Sequence, residues 1–309
     1  MALGACGDDP SDAAPVAHGT LDGLGDGDST PAGSTTEPSS PTAAGSSGAE
    51  ESTDDATATA DTSTTNASDT TGSEGTGSTG ARTKPQARIL MLGNSYTQVN
   101  GLAGLIDAMA ADHGLHFEIE AITQGGATVA DLLARPDIQT ALIEERWDHV
   151  VIQGQSYEPL IQPTVFSDAA FELATLAQGS GAEPVFFETW ARLEGSELYD
   201  EVWSGGDPEG MQALLHDGYA QAALDSGGTL APVGQAWALS LSDSPSIVLH
   251  SGDGSHPQLT GSYLAAAVFF RVLAGEPAAD TDWAPRALRQ ADAEVLRAHA
   301  DAAVDARTR

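Results

Sequence analysis

The chain has one cysteine, 12 basic residues among 309, and no long apolar run. A single cysteine excludes a framework of disulfides. The 45 acidic residues far outnumber the basic ones, so the clustered Lys and Arg that bind a nucleic-acid backbone are missing, and anionic membrane surfaces are disfavoured as partners for the same reason. A membrane-spanning helix needs about 20 consecutive apolar residues. We therefore expect a protein that is soluble or tethered from one end.

Residues 7–85 lack aromatic side chains and consist mainly of Ser, Thr, Gly, Ala, Asp, Glu and Pro. Such a segment cannot bury enough apolar surface to offset the entropy lost on ordering. We predict an acidic, disordered linker here, extended by charge repulsion. The linker holds 14 of the acidic residues, which leaves 31 acidic and 10 basic residues from Pro85 to Arg309. Residues 86–309 are enough for one sizeable domain, itself strongly acidic.

Residues 1–6 read "MALGAC", and Cys6 directly precedes the linker. "LGAC" resembles the lipobox of bacterial lipoproteins, in which the cysteine is lipidated. A charged segment and an apolar segment of about 7 to 15 residues should come first, so on this resemblance we expect residues 1–6 to be the end of a truncated signal. The resemblance implies an extracytoplasmic protein, anchored by a lipid at Cys6 or secreted. The alternative is an incidental free thiol.

Short apolar runs alternate with longer stretches of helical periodicity after the linker. The runs "ARILMLG", "HFEIEAI", "DHVVIQ", "EPVFFET" and "TLAPVG" suit strands buried on both faces. Helices are predicted over residues 99–113, 128–145 with a kink at Pro136, 165–179, 209–225, 258–273 and 285–304. This alternation predicts an α/β fold with right-handed crossovers and helices on both faces of a parallel sheet.

Active sites of such folds lie beyond the carboxyl ends of the strands. Ser95 follows the first strand in "LGNSYT", at a turn that exposes its hydroxyl as a nucleophile. Asn94 or Ser95 could equally serve only as a helix cap. After the second strand, "TQGGAT" places Gly125 and Gly126 where the backbone can approach a ligand.

Two further segments carry polar side chains suited to acyl transfer. "QGQS" places Gln153 and Gln155 after the third strand, and such an amide can donate a hydrogen bond to an oxyanion. In "DGSHP", Asp253 precedes His256 by three residues, a spacing that lets the carboxylate bind one ring nitrogen and fix the tautomer. The four segments together supply the parts of a serine esterase.

In this order, the four segments resemble the conserved blocks of the SGNH, or GDSL-like, hydrolases. The resemblance spans Ile89 to about Gly275. It implies a flavodoxin-like, three-layer α/β/α sandwich with a parallel sheet of about five strands. It also implies two-step ester hydrolysis by Ser95, His256 and Asp253, without a metal or a cofactor. The implied oxyanion hole comprises the backbone N–H groups of Ser95 and Gly125 and the Gln153 amide, with Gly126 and Gln155 as second choices.

Two departures from the family pattern bear on the substrate. Asn94 replaces the Asp of the usual GDS triplet, and the third block lacks G-x-N-D. Its "QGQS" is instead similar to the Q-G-E-S/T form of sialate and plant-type carbohydrate acetylesterases. The resemblance therefore favours a small-molecule or carbohydrate ester with a short acyl group as the substrate.

Other residues are expected near the substrate. Asn94, Tyr157 and Trp190 are expected to contact it, His250 could line the site, and residues 190–207 are long and polar enough to form a covering loop. Two alternatives remain open: a non-catalytic, carbohydrate-binding surface lipoprotein on the same fold, and an acyltransferase that passes the acyl group to a sugar.

Overall fold

Five parallel strands form one sheet in a computed structural model of the chain, which describes residues 86–307. The predicted linker and Cys6 lie outside these residues. The strand order is β2-β1-β3-β4-β5, the flavodoxin-like order. The strands are β1 (Ala87–Gly93), β2 (Phe117–Thr123), β3 (His149–Ile152), β4 (Glu183–Phe187) and β5 (Thr229–Ala231).

Helices cover both faces of this sheet, which confirms the predicted three-layer α/β fold. The helices are α1 (Ser95–Gln98), α2 (Leu102–Asp112), α3 (Val129–Leu133), α4 (Pro136–Glu144), α5 (Glu158–Ile161), α6 (Pro163–Gly179), α7 (Pro208–Ser226), α8 (Val233–Asp243), α9 (Leu259–Ala274) and α10 (Gln290–Arg307). Helices α2, α8, α9 and α10 pack on one face, and α3, α4, α6 and α7 pack on the other. Within the described residues, no helix is both long and apolar enough to cross a membrane.

The alternating side chains of β1, an interior strand, show why both faces are apolar. Ile89 and Met91 enter the core beneath α2 and α9, whereas Leu90 and Leu92 enter the opposite core. All four side chains are fully buried. Because successive side chains of a strand point to opposite faces, a continuous apolar run is needed where both faces are covered.

The edge strand β2 departs from the expectation of burial on both faces. Its side chains are mostly exposed or half-buried, and Glu118 and Glu120 face solvent. A charged edge is protected against pairing with another chain.

The helix predicted over residues 128–145 is two helices, α3 and α4, because Pro136 begins a new helix at its first position. Helix α8 was not predicted, since its residues follow β5 almost without a turn.

Helices α8 and α9 approach each other closely at Gly261, in the first turn of α9. A Cβ atom at Gly261 would lie 2.4 Å from Cζ2 of Trp237 and 2.7 Å from the Leu249 carbonyl oxygen. Trp237 is fully buried, so its ring has little room to move. The glycine is therefore required by packing at the start of the helix that follows the His256 loop.

We predict that Gly261→Ala lowers the free energy of unfolding by about 1–3 kcal/mol, because the added methyl overpacks this contact. Gly104→Ala is the matched control: Gly104 also lies in a helix, but a Cβ atom there would have nothing within 4 Å of it, so that change should stabilise by up to about 1 kcal/mol. Urea unfolding of both variants measures the difference. Equal shifts in the two variants would show that the close approach at Gly261 is unimportant.

Candidate active site

The nucleophile turn begins where β1 ends at Gly93. The side chain of Asn94 caps α1 by accepting a hydrogen bond from the N–H of Tyr96 at 3.1 Å. Ser95 is the first residue of this helix and is half-buried. Its Oγ lies 2.9 Å from Nε2 of His256. The local cap, made by Asn94, and the Ser95 hydroxyl hydrogen-bonded to a base, which the sequence left as alternatives, occur together.

The loop before α9 supplies the imidazole and its carboxylate partner. His256 Nδ1 lies 2.5 Å from Oδ2 of Asp253. The other oxygen, Oδ1, accepts hydrogen bonds from the N–H groups of Ser255 and His256 and from the Ser251 hydroxyl. Partial desolvation raises the pKa of Asp253, but its hydrogen bonds to His256, to Ser251 and to the backbone outweigh this and hold the pKa well below its usual range. The ionised carboxylate therefore favours the tautomer that carries its proton on Nδ1, leaving Nε2 to accept from Ser95.

The side chain of Gln153 is placed differently from the prediction. It is fully buried, and Nε2 donates to Oδ1 of Asn94 at 2.9 Å and to the Gly154 carbonyl. Its Oε1 accepts from the Asn94 N–H at 3.0 Å and from the Thr97 hydroxyl at 2.9 Å. Both N–H groups of the amide are thus occupied, and the expected role as oxyanion donor is corrected to a positioning role. A Cβ atom at Gly93 would lie 2.5 Å from the same Oε1, so only glycine fits there.

Asn94 is also part of the buried framework and does not line the crevice. Its side chain is 2% exposed, and Nδ2 donates to the carbonyl groups of Ala127 and Gly154. With Gln153, it joins the segments that follow β1, β2 and β3. The expected contact between Asn94 and substrate is therefore corrected: a side chain with four internal hydrogen bonds has nothing left to offer a ligand.

Among the described residues, the backbone N–H groups of Ser95, Gly125 and Gly126 at this edge of the sheet have no acceptor. Gly125 and Gly126 are exposed, and nothing crowds their Cα atoms. Gln155 is half-buried, and its Nε2 donates one hydrogen bond, to the Ser156 hydroxyl at 3.1 Å. One N–H of that amide remains free, so the structure favours Gln155 over Gln153 as a side-chain donor.

No group of three or more His, Cys, Asp or Glu in residues 86–307 is arranged to hold a metal ion.

A buried carboxylate that sequence reasoning missed holds two of these loops together. Glu158 is fully buried, and its oxygens accept hydrogen bonds from the N–H groups of Val129, at the start of α3, and of Gln155. Desolvation raises the pKa of Glu158, and these hydrogen bonds only partly oppose the shift. Only its place directly after the "QGQSY" segment hinted at a role in the site.

Trp190 lies behind the triad and not beside the substrate. It is 2% exposed, and its ring is stacked between Tyr96 and Trp237, with centroid distances of 4.3 and 4.0 Å. Its Nε1 donates to the Ser255 carbonyl at 2.9 Å. The expected substrate contact is thus corrected to a supporting one. The Tyr96 ring in turn meets His256 edge-on at 5.6 Å.

The segment after β4 brings a cation to the site that the sequence did not reveal. Arg192 Nη1 donates to the Tyr96 hydroxyl and Nη2 donates to the Ser156 hydroxyl, both at 2.7 Å. Its guanidinium lies 5.2 Å from the ring of Tyr157, which is half-buried and stacks on Trp203. Tyr157 and Trp203 thus form a half-buried aromatic pair beside this cation.

His250 and the segment over residues 190–207 adjoin the site in different ways. His250 is 3% exposed, and desolvation lowers the pKa of its imidazole; its Nε2 donates to the Ala191 carbonyl at 3.0 Å. It therefore positions the segment and does not line the crevice. The N–H of Leu193 donates to the Gly254 carbonyl at 3.0 Å, which joins the segment to the loop that carries Asp253.

Comparisons with solved structures identify proteins of similar fold. A protein from Slackia heliotrinireducens, described as a candidate SGNH hydrolase, is 34% identical to the chain with a TM-score of 0.51, and the match covers 60% of this chain and 98% of that one. A DUF4886 family protein from Bacteroides uniformis shares the fold, with 18% identity and a TM-score of 0.61, over 72% of this chain and 96% of that one. No family model and no curated protein matches the chain.

A third of the residues match over nearly the whole of the Slackia protein, and the two folds are similar. The chain belongs to the SGNH hydrolases, which confirms the resemblance read from its four segments. It is an enzyme of the ester-hydrolase class that this family comprises.

The buried network predicts that Gln153 matters for stability more than Gln155 does. Gln153→Ala leaves the Asn94 N–H and the Thr97 hydroxyl without their acceptor, so we expect the free energy of unfolding to fall by about 1–3 kcal/mol. Gln155→Ala, at a half-buried residue, should cost less than half as much. Chemical denaturation of the two variants provides the comparison, and a larger cost for Gln155→Ala would contradict the positioning role of Gln153.

Proposed function

We propose that the protein hydrolyses esters by a Ser-His-Asp mechanism. The observation that carries the proposal is the unbroken series of hydrogen bonds from Ser95 Oγ through His256 to Asp253, at 2.9 and 2.5 Å. A serine hydroxyl is a weak nucleophile until a base takes its proton. The imidazole is in position to do so, and the carboxylate stabilises the imidazolium that results.

Each step of the proposed reaction uses groups at this edge of the sheet. Ser95 Oγ attacks the acyl carbonyl carbon while its proton passes to His256 Nε2. The backbone N–H groups of Ser95 and Gly125, with Gly126 or Gln155 as further donors, stabilise the oxyanion. The imidazolium then protonates the leaving alcohol, an acyl-enzyme remains, and a water activated by the same imidazole releases the acid.

We propose short acyl groups on a carbohydrate or another small alcohol as the substrate. Two features support this: the similarity of "QGQS" to the carbohydrate acetylesterase form, and the half-buried Tyr157 and Trp203, whose stacked rings lie 5.0 Å apart beside the site. Aromatic faces suit the apolar faces of sugar rings.

The triad is tested with Ser95→Ala. Turnover of p-nitrophenyl acetate by the purified chain should fall by on the order of 10⁴-fold or more, because no other group replaces the nucleophile. Ser246→Ala, at an exposed serine outside the site, is the matched control and should keep wild-type activity. Wild-type activity in Ser95→Ala would exclude the proposed nucleophile.

A fluorophosphonate probe separates the esterase from a non-catalytic binder on the same fold. The probe should label Ser95 in the wild-type chain, and His256→Ala should abolish the labelling because the hydroxyl loses its base. Folded wild-type protein that is not labelled would favour the binder. Product analysis of an acetylated sugar, with and without an added acceptor sugar, tests for acyl transfer: free acetate in both cases supports the hydrolase.

We also propose that Cys6 carries a lipid and that the enzyme acts outside the cytoplasm, on the strength of the "LGAC" resemblance alone. When the protein is expressed from its natural locus in cells fed an alkyne fatty acid, Cys6 should be labelled. Cys6→Ser should remove the label and release the protein from the membrane fraction. Unlabelled wild-type protein in the soluble fraction would show the cysteine to be incidental.

A further inference from the structure

We infer that Arg192 binds a negatively charged group of the substrate, beside the ester that Ser95 attacks. The inference rests on the proposed function and specifies its substrate class: acyl esters of acidic molecules, with acylated acidic sugars as the best fit. Two properties of the guanidinium point to this role: it is firmly held, and it lacks a charged partner.

The backbone around Arg192 is anchored on several sides. The Ala191 N–H donates to Oε1 of Gln212 at 2.9 Å, and the Ala191 carbonyl accepts from His250 at 3.0 Å. The Tyr199 hydroxyl donates to the Arg192 carbonyl at 2.5 Å. A residue held in this way loses little further conformational entropy when it binds a ligand.

No carboxylate neutralises this guanidinium. Among the described residues, Arg192 has no ion pair, and its two side-chain acceptors are the neutral hydroxyls of Tyr96 and Ser156. Glu209 lines the same cleft of about 560 Å³ as Arg192, yet no ion pair joins them. Several other arginines of the domain do pair with carboxylates: Arg88, Arg135, Arg271 and Arg289. In a domain with 31 acidic and 10 basic residues, a half-buried cation beside the triad without a carboxylate partner is available to a negative charge on a ligand.

The position of the cation links it to the triad. Tyr96, which accepts from Arg192, directly follows Ser95 in the chain, and its hydroxyl also bonds to Ser255 at 2.8 Å. Ser255 directly precedes His256. The Arg192 guanidinium is therefore hydrogen-bonded to Tyr96, a residue that adjoins both the nucleophile Ser95 and the base His256.

The remaining donors suit an anion. Arginine has five N–H groups in a planar fork, of which two are used here, so three remain. A planar guanidinium pairs with a carboxylate through two parallel hydrogen bonds, which are stronger than bonds between neutral groups. The half-buried rings of Tyr157 and Trp203 beside it restrict solvent and provide a surface for a sugar ring.

The negative net charge of the domain leads to an opposite expectation if Arg192 has no role in binding. Its strong excess of acidic residues repels anionic substrates. Without a dedicated cation, the enzyme should therefore prefer a neutral ester to an otherwise identical anionic one. A preference for the anion requires a local group that overcomes this field, and Arg192, which is hydrogen-bonded to the neighbour of Ser95, is the cation in position to do so.

The test compares an O-acetylated uronic acid with its methyl ester, since the two share the ring and the acetyl group and differ in one charge. The readout is the selectivity ratio, defined as kcat/KM for acetate release from the acid divided by that from the methyl ester. We expect a ratio of about 10 or more in the wild-type enzyme. Arg192→Gln should lower the ratio at least fivefold, chiefly through KM for the acid, and Arg192→Lys should keep part of it.

Arg289→Gln is the matched control, because it removes one positive charge at a residue whose side chain is 75% exposed, and it should leave the ratio unchanged. If Arg192→Gln does not fold, the wild-type ratio still decides: a ratio well above 1 requires a local cation, because the acidic domain as a whole repels the acid. A wild-type ratio of 1 or below, with p-nitrophenyl acetate still hydrolysed through Ser95, would overturn the inference and leave the esterase intact. Loss of all Ser95-dependent hydrolysis would instead overturn the proposed function.

Discussion

The hydrogen bonds of the buried Gln153 amide are the interactions on which the site most depends. It accepts from the backbone at Asn94 and donates to the side chain of the same residue, so it joins the ends of β1 and β3. Asn94 extends the network to Ala127, after β2. A buried donor or acceptor left unpaired costs about 1–3 kcal/mol, so the three segments keep one mutual arrangement. Ser95 is held in place because the residue before it has no freedom to move.

Two buried carboxylates, those of Glu158 and Glu188, fix the loops around the site by hydrogen bonds in the same way. Glu158 holds the N–H groups that begin α3 and follow β3, while Glu188 accepts from Gln212 and pairs with His216 at 2.9 Å. Gln212 in turn holds Ala191. Desolvation raises the pKa of Glu188, and its contacts with His216 and Gln212 oppose the shift. Burying a carboxylate is tolerated when its oxygens are hydrogen-bonded. Here those hydrogen bonds fix the positions of the loops that carry the functional groups.

The aromatic stack shows how the core and the site share residues. Tyr96 lies between the base and Trp190, and Trp190 lies between Tyr96 and Trp237. The stack connects the nucleophile turn to α8 through parallel ring faces about 4 Å apart. Its members exclude water from the back of the triad. The front of the site is left to Tyr157, Trp203 and Arg192, which are only half-buried.

The sequence by itself determined the fold class and the approximate limits of all five strands, because short apolar runs alternate with helical stretches. In the interior strands these runs are unbroken, as is required where both faces of a sheet are covered. It also singled out Ser95, Asp253 and His256, since local spacing and strand ends place such residues at one edge of the sheet. Only the tertiary structure decided the direction of side chains. Gln153, Asn94 and Trp190 lie in the predicted segments, but their polar atoms or ring faces are used internally, whereas Arg192 and Glu158 gained their places through contacts with residues distant in sequence. Such pairings depend on how separate loops meet, and no local pattern in the chain encodes that meeting.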